Sequence, residues 1–215
     1  MRTVLVPIAT ALLGCSLFED DPPEFPPGLE PIEENTASWP EPEGDEPYPE
    51  TLDLVTGEDD GVAWAHARGW LHAWPAETWE ALEVCTVLVD QRRVTEWSCD
   101  DEDPVYDVAI VVHNTVVDLI TLDFDIRWDE GVVEGDAQAP EVVGARFEKT
   151  EGSDLIDLMI GSVVLLDEAD GVTGVEIIER LDAATTGEDE VAQFVGDLWA
   201  DLLAFVRGQD LPTYR

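Results

Sequence analysis

Among the residue types able to do chemistry, this 215-residue chain has few histidines and cysteines but many tryptophans and carboxylates. A metal site needs its ligands clustered. His66 and His72 share one face of an alternating run, yet six residues of strand put them roughly 20 Å apart, too far to share an ion. His113 could meet one of them only across a sheet. Asp123 and Asp125 share a polar face and read as solvent-facing. The run Asp167-Glu168-Ala169-Asp170-Gly171 has the composition of a calcium loop without its spacing. Nucleophilic catalysis needs a Ser or Cys beside a base, and neither Gly-x-Ser-x-Gly nor a Gly-rich phosphate loop occurs. With 50 carboxylates in the chain, an acid near a histidine carries little information. No metal and no cofactor are expected. The tryptophans are more suggestive. Trp64, Trp70 and Trp74 fall on one face of a strand, where they can line an apolar pocket, pack beneath a helix, or form a dimer contact.

Charge narrows the partners. Fifty acidic residues face ten basic ones, a formal net charge of −40. Nucleic acid and anionic membrane surfaces are polyanions, so nonspecific binding to either is excluded as a main task. The acids are spread along the whole chain, which reads as a surface suited to concentrated salt, where self-repulsion is screened.

The first residues are an address. Arg2 supplies a charged start, and Val4 to Leu13 a short apolar stretch interrupted by Pro7, too short to span a bilayer. The stretch ends Leu12-Leu13-Gly14-Cys15, which resembles the lipobox of bacterial lipoproteins. That resemblance implies a signal peptide over residues 1–14, lipid on Cys15, and anchoring to the cell envelope by acyl chains. Ser16 follows the cysteine where an Asp would imply inner-membrane retention, so the outer membrane is favoured. Residues 16–50 hold nine prolines and twelve acidic residues with no Lys or Arg. Residues 15–50 therefore read as the lipidated cysteine followed by an extended, disordered tether of polyproline character, and residues 51–215 as the folded domain. Setting Cys15 aside leaves Cys85 and Cys99, which outside the cytoplasm read as a disulfide, the alternative being two buried free thiols. Between them lies Arg92-Arg93, suited to an anionic ligand group or to salt bridges with the acidic surroundings.

The domain is organised around its last helix, expected over Glu188 to Arg207. Val191, Phe194, Val195, Leu198, Trp199, Leu202, Phe205 and Val206 recur at helical spacing and cover about half the circumference. Thr185 with Glu188 reads as a capping box, and Gly208 as the stop. Before it come alternating runs: Gly61 to Trp74, Val105 to Asn114, Val116 to Asp129, Val142 to Thr150, Leu155 to Leu166 and Val172 to Ala183. Leu155 to Leu166 is apolar on both faces. Glu130-Gly131 and Glu134-Gly135-Asp136 read as turns. Short connections imply a mainly antiparallel sheet, and Pro75 to Leu82 a short helix opened by proline.

The order of strand, short helix, antiparallel strands and long final helix resembles the START-like superfamily, also called helix-grip or SRPBCC proteins. The local match is Gly69-Trp70-Leu71-His72-Ala73-Trp74-Pro75-Ala76-Glu77-Thr78-Trp79-Glu80-Ala81-Leu82, similar to the family's opening strand and the first-helix pattern packed by its tryptophan. The resemblance covers residues 58–208 and implies an α+β fold in which a curved antiparallel sheet grips the C-terminal helix around a cavity. Members bind lipids, sterols or polyketides, and some are cyclases or hydrolases. The family's second short helix is replaced here by the Cys85–Cys99 region. The implied function is binding of an apolar small molecule or lipid, with Trp64, Trp70, Trp74, Phe124, Phe194, Leu198, Trp199 and Leu202 around the cavity. Two alternatives stay open. One is a polyketide-cyclase-like or hydrolytic enzyme using His66, His72 or His113 in the cavity. The other is a structural envelope lipoprotein with a filled core.

Overall fold

The computed structural model describes residues 23–118, 120–184 and 187–214. The signal segment 1–14, Cys15 and the capping residue Thr185 lie outside the described residues. Strands β1 (Leu52–Asp59) and β2 (Val62–Leu71) are followed by helix α1 (Pro75–Leu82). Then come β3 (Glu96–Asp101), β4 (Val108–Val117), β5 (Thr121–Asp136), β6 (Ala139–Gly152), β7 (Ile156–Ala169) and β8 (Val172–Ala183), and finally α2 (Glu188–Val206). The eight strands form one sheet in the order β1-β2-β8-β7-β6-β5-β4-β3. Every pairing is antiparallel. The expected α+β architecture is the one observed: a curved antiparallel sheet with the final helix laid on its concave face.

Alternation decides which side chains face that helix. On β2, Ala63, Ala65, Ala67 and Leu71 point inward and are essentially fully buried. These small residues let α2 approach closely. The space a Cβ on Gly69 would need is taken by the Trp199 ring, at 2.6 Å. Trp128, Phe147 and Phe194 continue the core, with Trp128 and Phe147 stacked at 4.4 Å and Phe194 edge-on to Phe147 at 5.9 Å. Helix α1 carries Glu77, whose carboxylate accepts from the Trp74 N–H at 3.1 Å, and Pro75 in its first turn, as its sequence leads one to expect. On α2 the equivalent contact runs from the Gly187 N–H to Glu190 at 2.9 Å.

The segment expected as a disordered tether is different. From residue 23 onward it lies along the convex face of the sheet as a strap. Leu29, Asn35 and Ala37 are buried. Asn35 Nδ2 donates to the Ala67 carbonyl at 2.9 Å, Arg68 to the Ala37 carbonyl at 2.9 Å, and Arg146 to the Glu30 carbonyl at 3.0 Å. Trp39 stacks on Trp70 at 4.1 Å, with the Arg68 guanidinium over the Trp39 ring. Glycines on the convex face leave it room: a Cβ on Gly144 would stand 2.7 Å from the Leu29 carbonyl oxygen. The physical reason is that this face of β2, β7 and β8 carries Trp70, Val164 and Ile178, which need a cover, beside polar groups such as His66, Arg68 and Arg180 that the strap engages. Proline and acid content describe how the strap would behave alone, not how it behaves on that surface.

Glu130-Gly131 is also not a turn. It lies within β5, and Glu130 is fully buried. Strands β1 and β3, at the two edges of the sheet, have no counterpart among the expected elements. Among the described residues no helix is long and apolar enough to cross a membrane.

Candidate ligand cavity

A cavity of about 470 Å³ opens between the first turns of α2 and the concave face of the sheet. That volume falls in the range of small-molecule sites. One wall is apolar and comes from β4 and β5: Val116, Leu122, Phe124 and Ile126. The opposite wall comes from β7 and β8: Ile156, Met159, Leu181 and Ala183. Phe194 closes the end toward the core. At the mouth stand Ile120 and Leu155, both exposed hydrophobic side chains.

The fourth side is the segment between α1 and β3. Cys85 and Cys99 are disulfide-bonded with their Cα atoms 5.8 Å apart, which ties this segment to the edge strand. Val87, Leu88, Val89 and Val94 anchor it in the core. Its arginine pair meets α2: Arg92 binds Asp197 at 2.5 Å and Arg93 binds Glu190 at 2.6 Å. Salt bridging is thus the role of Arg92-Arg93. Arg92 also lies over the Tyr214 ring, 4.8 Å from its centre.

Four acids stand in the cavity lining, Asp90, Asp118, Glu179 and Glu190, and burial perturbs two of them. Glu179 sits on the inward parity of β8, 1% exposed, between Ala65 of β2 and Gly161 of β7. Neither of its carboxyl oxygens has a hydrogen-bond partner among the described residues. Burial, reinforced by the negative charge of Asp90, pushes its carboxyl well above the usual range. Asp90 lines the same cavity, and burial raises it too, against hydrogen bonds from the Arg92 and Arg93 backbones.

Of the expected cavity residues, Phe124 and Phe194 line the space. Leu198, Trp199 and Leu202 are buried one to two turns further along α2, packed into the core rather than facing the opening. Trp64 and Trp70 must be moved to the other side of the sheet. They alternate with Ala63, Ala65 and Ala67, so when the alanines face α2 the tryptophans face the strap. Trp70 is held there by Trp39, and its Nε1 donates to the Pro40 carbonyl at 3.4 Å. Trp74 precedes α1, away from the cavity lining, and is 46% exposed.

The histidines also lie outside the cavity. His66 contacts Glu33 at 3.0 Å and accepts from the Thr36 N–H at 3.0 Å, beneath the strap. His72 contacts the Tyr48 carbonyl at 2.8 Å. His113 lies between Asp125 at 2.9 Å and Asp100 at 3.3 Å, and the hydrogen bond to Asp125 raises its pKa. All three bind strap segments or convex-face carboxylates, so none can serve as the cavity base that an enzyme built on them requires.

Glu179 and Asp90 were missed by reading motifs. A signal was present for the first. Val175, Ile177, Leu181 and Ala183 mark the apolar parity of β8, and Glu179 is the charged residue within that series. Asp90 sits in an irregular segment where no periodicity points to a face.

No protein-family model and no curated protein matches the sequence. Solved structures do match. The lipid transfer and protein localization domain of human StarD13 (DLC2) is similar at 12% identity and a TM-score of 0.50, over 73% of this chain and 83% of that one. Human StAR-related lipid transfer protein 5 is similar at 11% identity and a TM-score of 0.51, over 85% of this chain and 88% of that one. Identities this low speak to architecture alone, and with the sheet order and the gripped final helix they establish that this chain has the START-like helix-grip fold.

Proposed function

We propose that this chain is an exported lipoprotein, anchored through Cys15, that binds an apolar small molecule or lipid in the cavity between α2 and the sheet. The observation that carries the binding reading is the 470 Å³ space walled by apolar side chains of β4, β5, β7 and β8. The names of both human neighbours, which specify lipid transfer, agree with it. The anchoring half rests on the Leu12-Leu13-Gly14-Cys15 pattern. Seven residues separate Cys15 from Pro23; fully extended they and their flanking bonds reach roughly 25 Å. An anchored domain held by its strap would ride close to the envelope membrane rather than at the end of a long spacer.

Two measurements test the two halves. The full chain is produced in a bacterium that processes lipoproteins and is fed labelled palmitate; label lost on Cys15→Ser supports the anchor, and a chain that takes up no label refutes it. The purified chain is then weighed by native mass spectrometry and extracted with organic solvent. A stoichiometric apolar molecule is expected. A ligand-free mass that persists after incubation with a total lipid extract refutes binding.

A further inference from the structure

We infer that the cavity selects an apolar molecule carrying a basic nitrogen, with Glu179 as the group that receives it. The inference rests on the binding reading above and names the ligand class for that same cavity.

The charged inventory of the lining is lopsided. It contains Asp90, Asp118, Glu179 and Glu190 against a single cationic side chain, Arg93. Arg93 is already engaged by Glu190 at 2.6 Å. A fatty acid or a phosphate-bearing lipid would therefore bring its anion to a site with no free counter-charge and three further acids, Asp90, Asp118 and Glu179, a costly arrangement away from water. Glu179 presents the opposite situation. It is 1% exposed and reaches the cavity lining, with both oxygens unpartnered among the described residues. Buried polar groups are nearly always satisfied, and one that is not needs an explanation. Its strand neighbours are Ala65 and Gly161, so no side chain from an adjacent strand at that level can reach across to satisfy it.

An amine satisfies it. A neutral amine entering the cavity takes the carboxyl proton, leaving a carboxylate and an ammonium joined by a charge-assisted hydrogen bond. An ammonium arriving from water reaches the same pair, with the carboxyl proton released to solvent. Asp90 adds negative potential from the facing segment. The apolar remainder of the molecule lies between Phe124, Ile126, Ile156 and Met159.

Binding of hexadecylamine, hexadecanol and hexadecanoic acid to the full chain tests this, by isothermal titration or by native mass spectrometry. The amine is expected to bind about tenfold or more tightly than the alcohol, the scale of one charge-assisted hydrogen bond, and the acid most weakly. Glu179→Gln keeps the side chain's shape; it is expected to bring the amine down to the alcohol's affinity and to leave the alcohol unchanged. Asp90→Asn provides a second variant outside the sheet, expected to reduce the same ratio. Equal affinity for amine and alcohol, or an amine preference that survives Glu179→Gln, overturns this inference while the cavity remains a binding site. Failure of all three chains to bind overturns both readings.

Discussion

The indole Nε1–H of Trp79 donates to Glu130 Oε2 at 2.7 Å in the interior of the protein, joining α1 to the middle of β5. Glu130 is fully buried and its other oxygen has no partner among the described residues. Burial pushes its pKa from 4.5 to about 8, against the Trp79 hydrogen bond, with Glu83 and Asp129 adding to the rise. The folded chain therefore holds a proton on Glu130 that the unfolded chain releases. Between about pH 4.5 and 8 this group makes stability fall as pH rises, by at most roughly 1.4 kcal/mol per pH unit.

Glu130→Gln removes that linkage. Denaturant unfolding of both proteins at pH 5 and pH 8.5 should show the variant gaining on the wild type as pH rises. A difference that stays constant across the two conditions would mean that Glu130 ionises alike in the folded and unfolded chains.

The strap gives a second test. Trp39→Ala removes the stack on Trp70 and the contact with the Arg68 guanidinium, and should cost about 2 kcal/mol of unfolding free energy. A segment acting only as a spacer would tolerate the change without loss. Limited proteolysis offers the same comparison, with cleavage within residues 23–50 accelerated in the variant.

Close approach of α2 to β2 gives a third. A Cβ on Gly69 would stand 2.6 Å from the Trp199 ring and 2.8 Å from the Thr51 carbonyl oxygen. Gly69→Ala should destabilise by about 1–3 kcal/mol through overpacking, and Gly69→Ala with Trp199→Phe should recover part of that loss. Thermal unfolding of the single and double variants measures the coupling.

Replacing Cys85 and Cys99 together by serine opens a loop of fourteen positions. Chain entropy puts the cost at about 3 kcal/mol. The segment bearing Asp90 and Arg93 should also exchange its amide hydrogens faster, because its tether to β3 is gone. Unchanged exchange there would show that Val87, Leu88 and Val94 hold it without the bond.

Strong periodicity made much of this architecture legible. β8 is found where its alternation places it, at Val172–Ala183, and α2 where its apolar stripe does. Edge strands β1 and β3 were not legible, because one side of each is solvent and their acidic sequences, such as Leu52–Asp59, carry little apolar alternation. For the cavity, Phe124 and Phe194 could be named because they lie on apolar faces. Trp64 and Trp70 could not be assigned a side, since an aromatic face looks the same under a helix as under a strap. The clue was β7, apolar on both faces: a strand buried on two sides requires a cover on each, and Val164 on its convex side is indeed buried.

The pairing of β2 with β8 sets an order of events. β2 ends at Leu71, and its partner β8 begins only at Val172. The strap's link to β8 reaches further still: Glu33 meets Arg180 across a separation of 147 residues. Neither contact can form until nearly all of the chain has been made. Contacts of such long range slow folding, and they leave β2 with only β1 and the strap, its near neighbours in sequence, until β8 has been made.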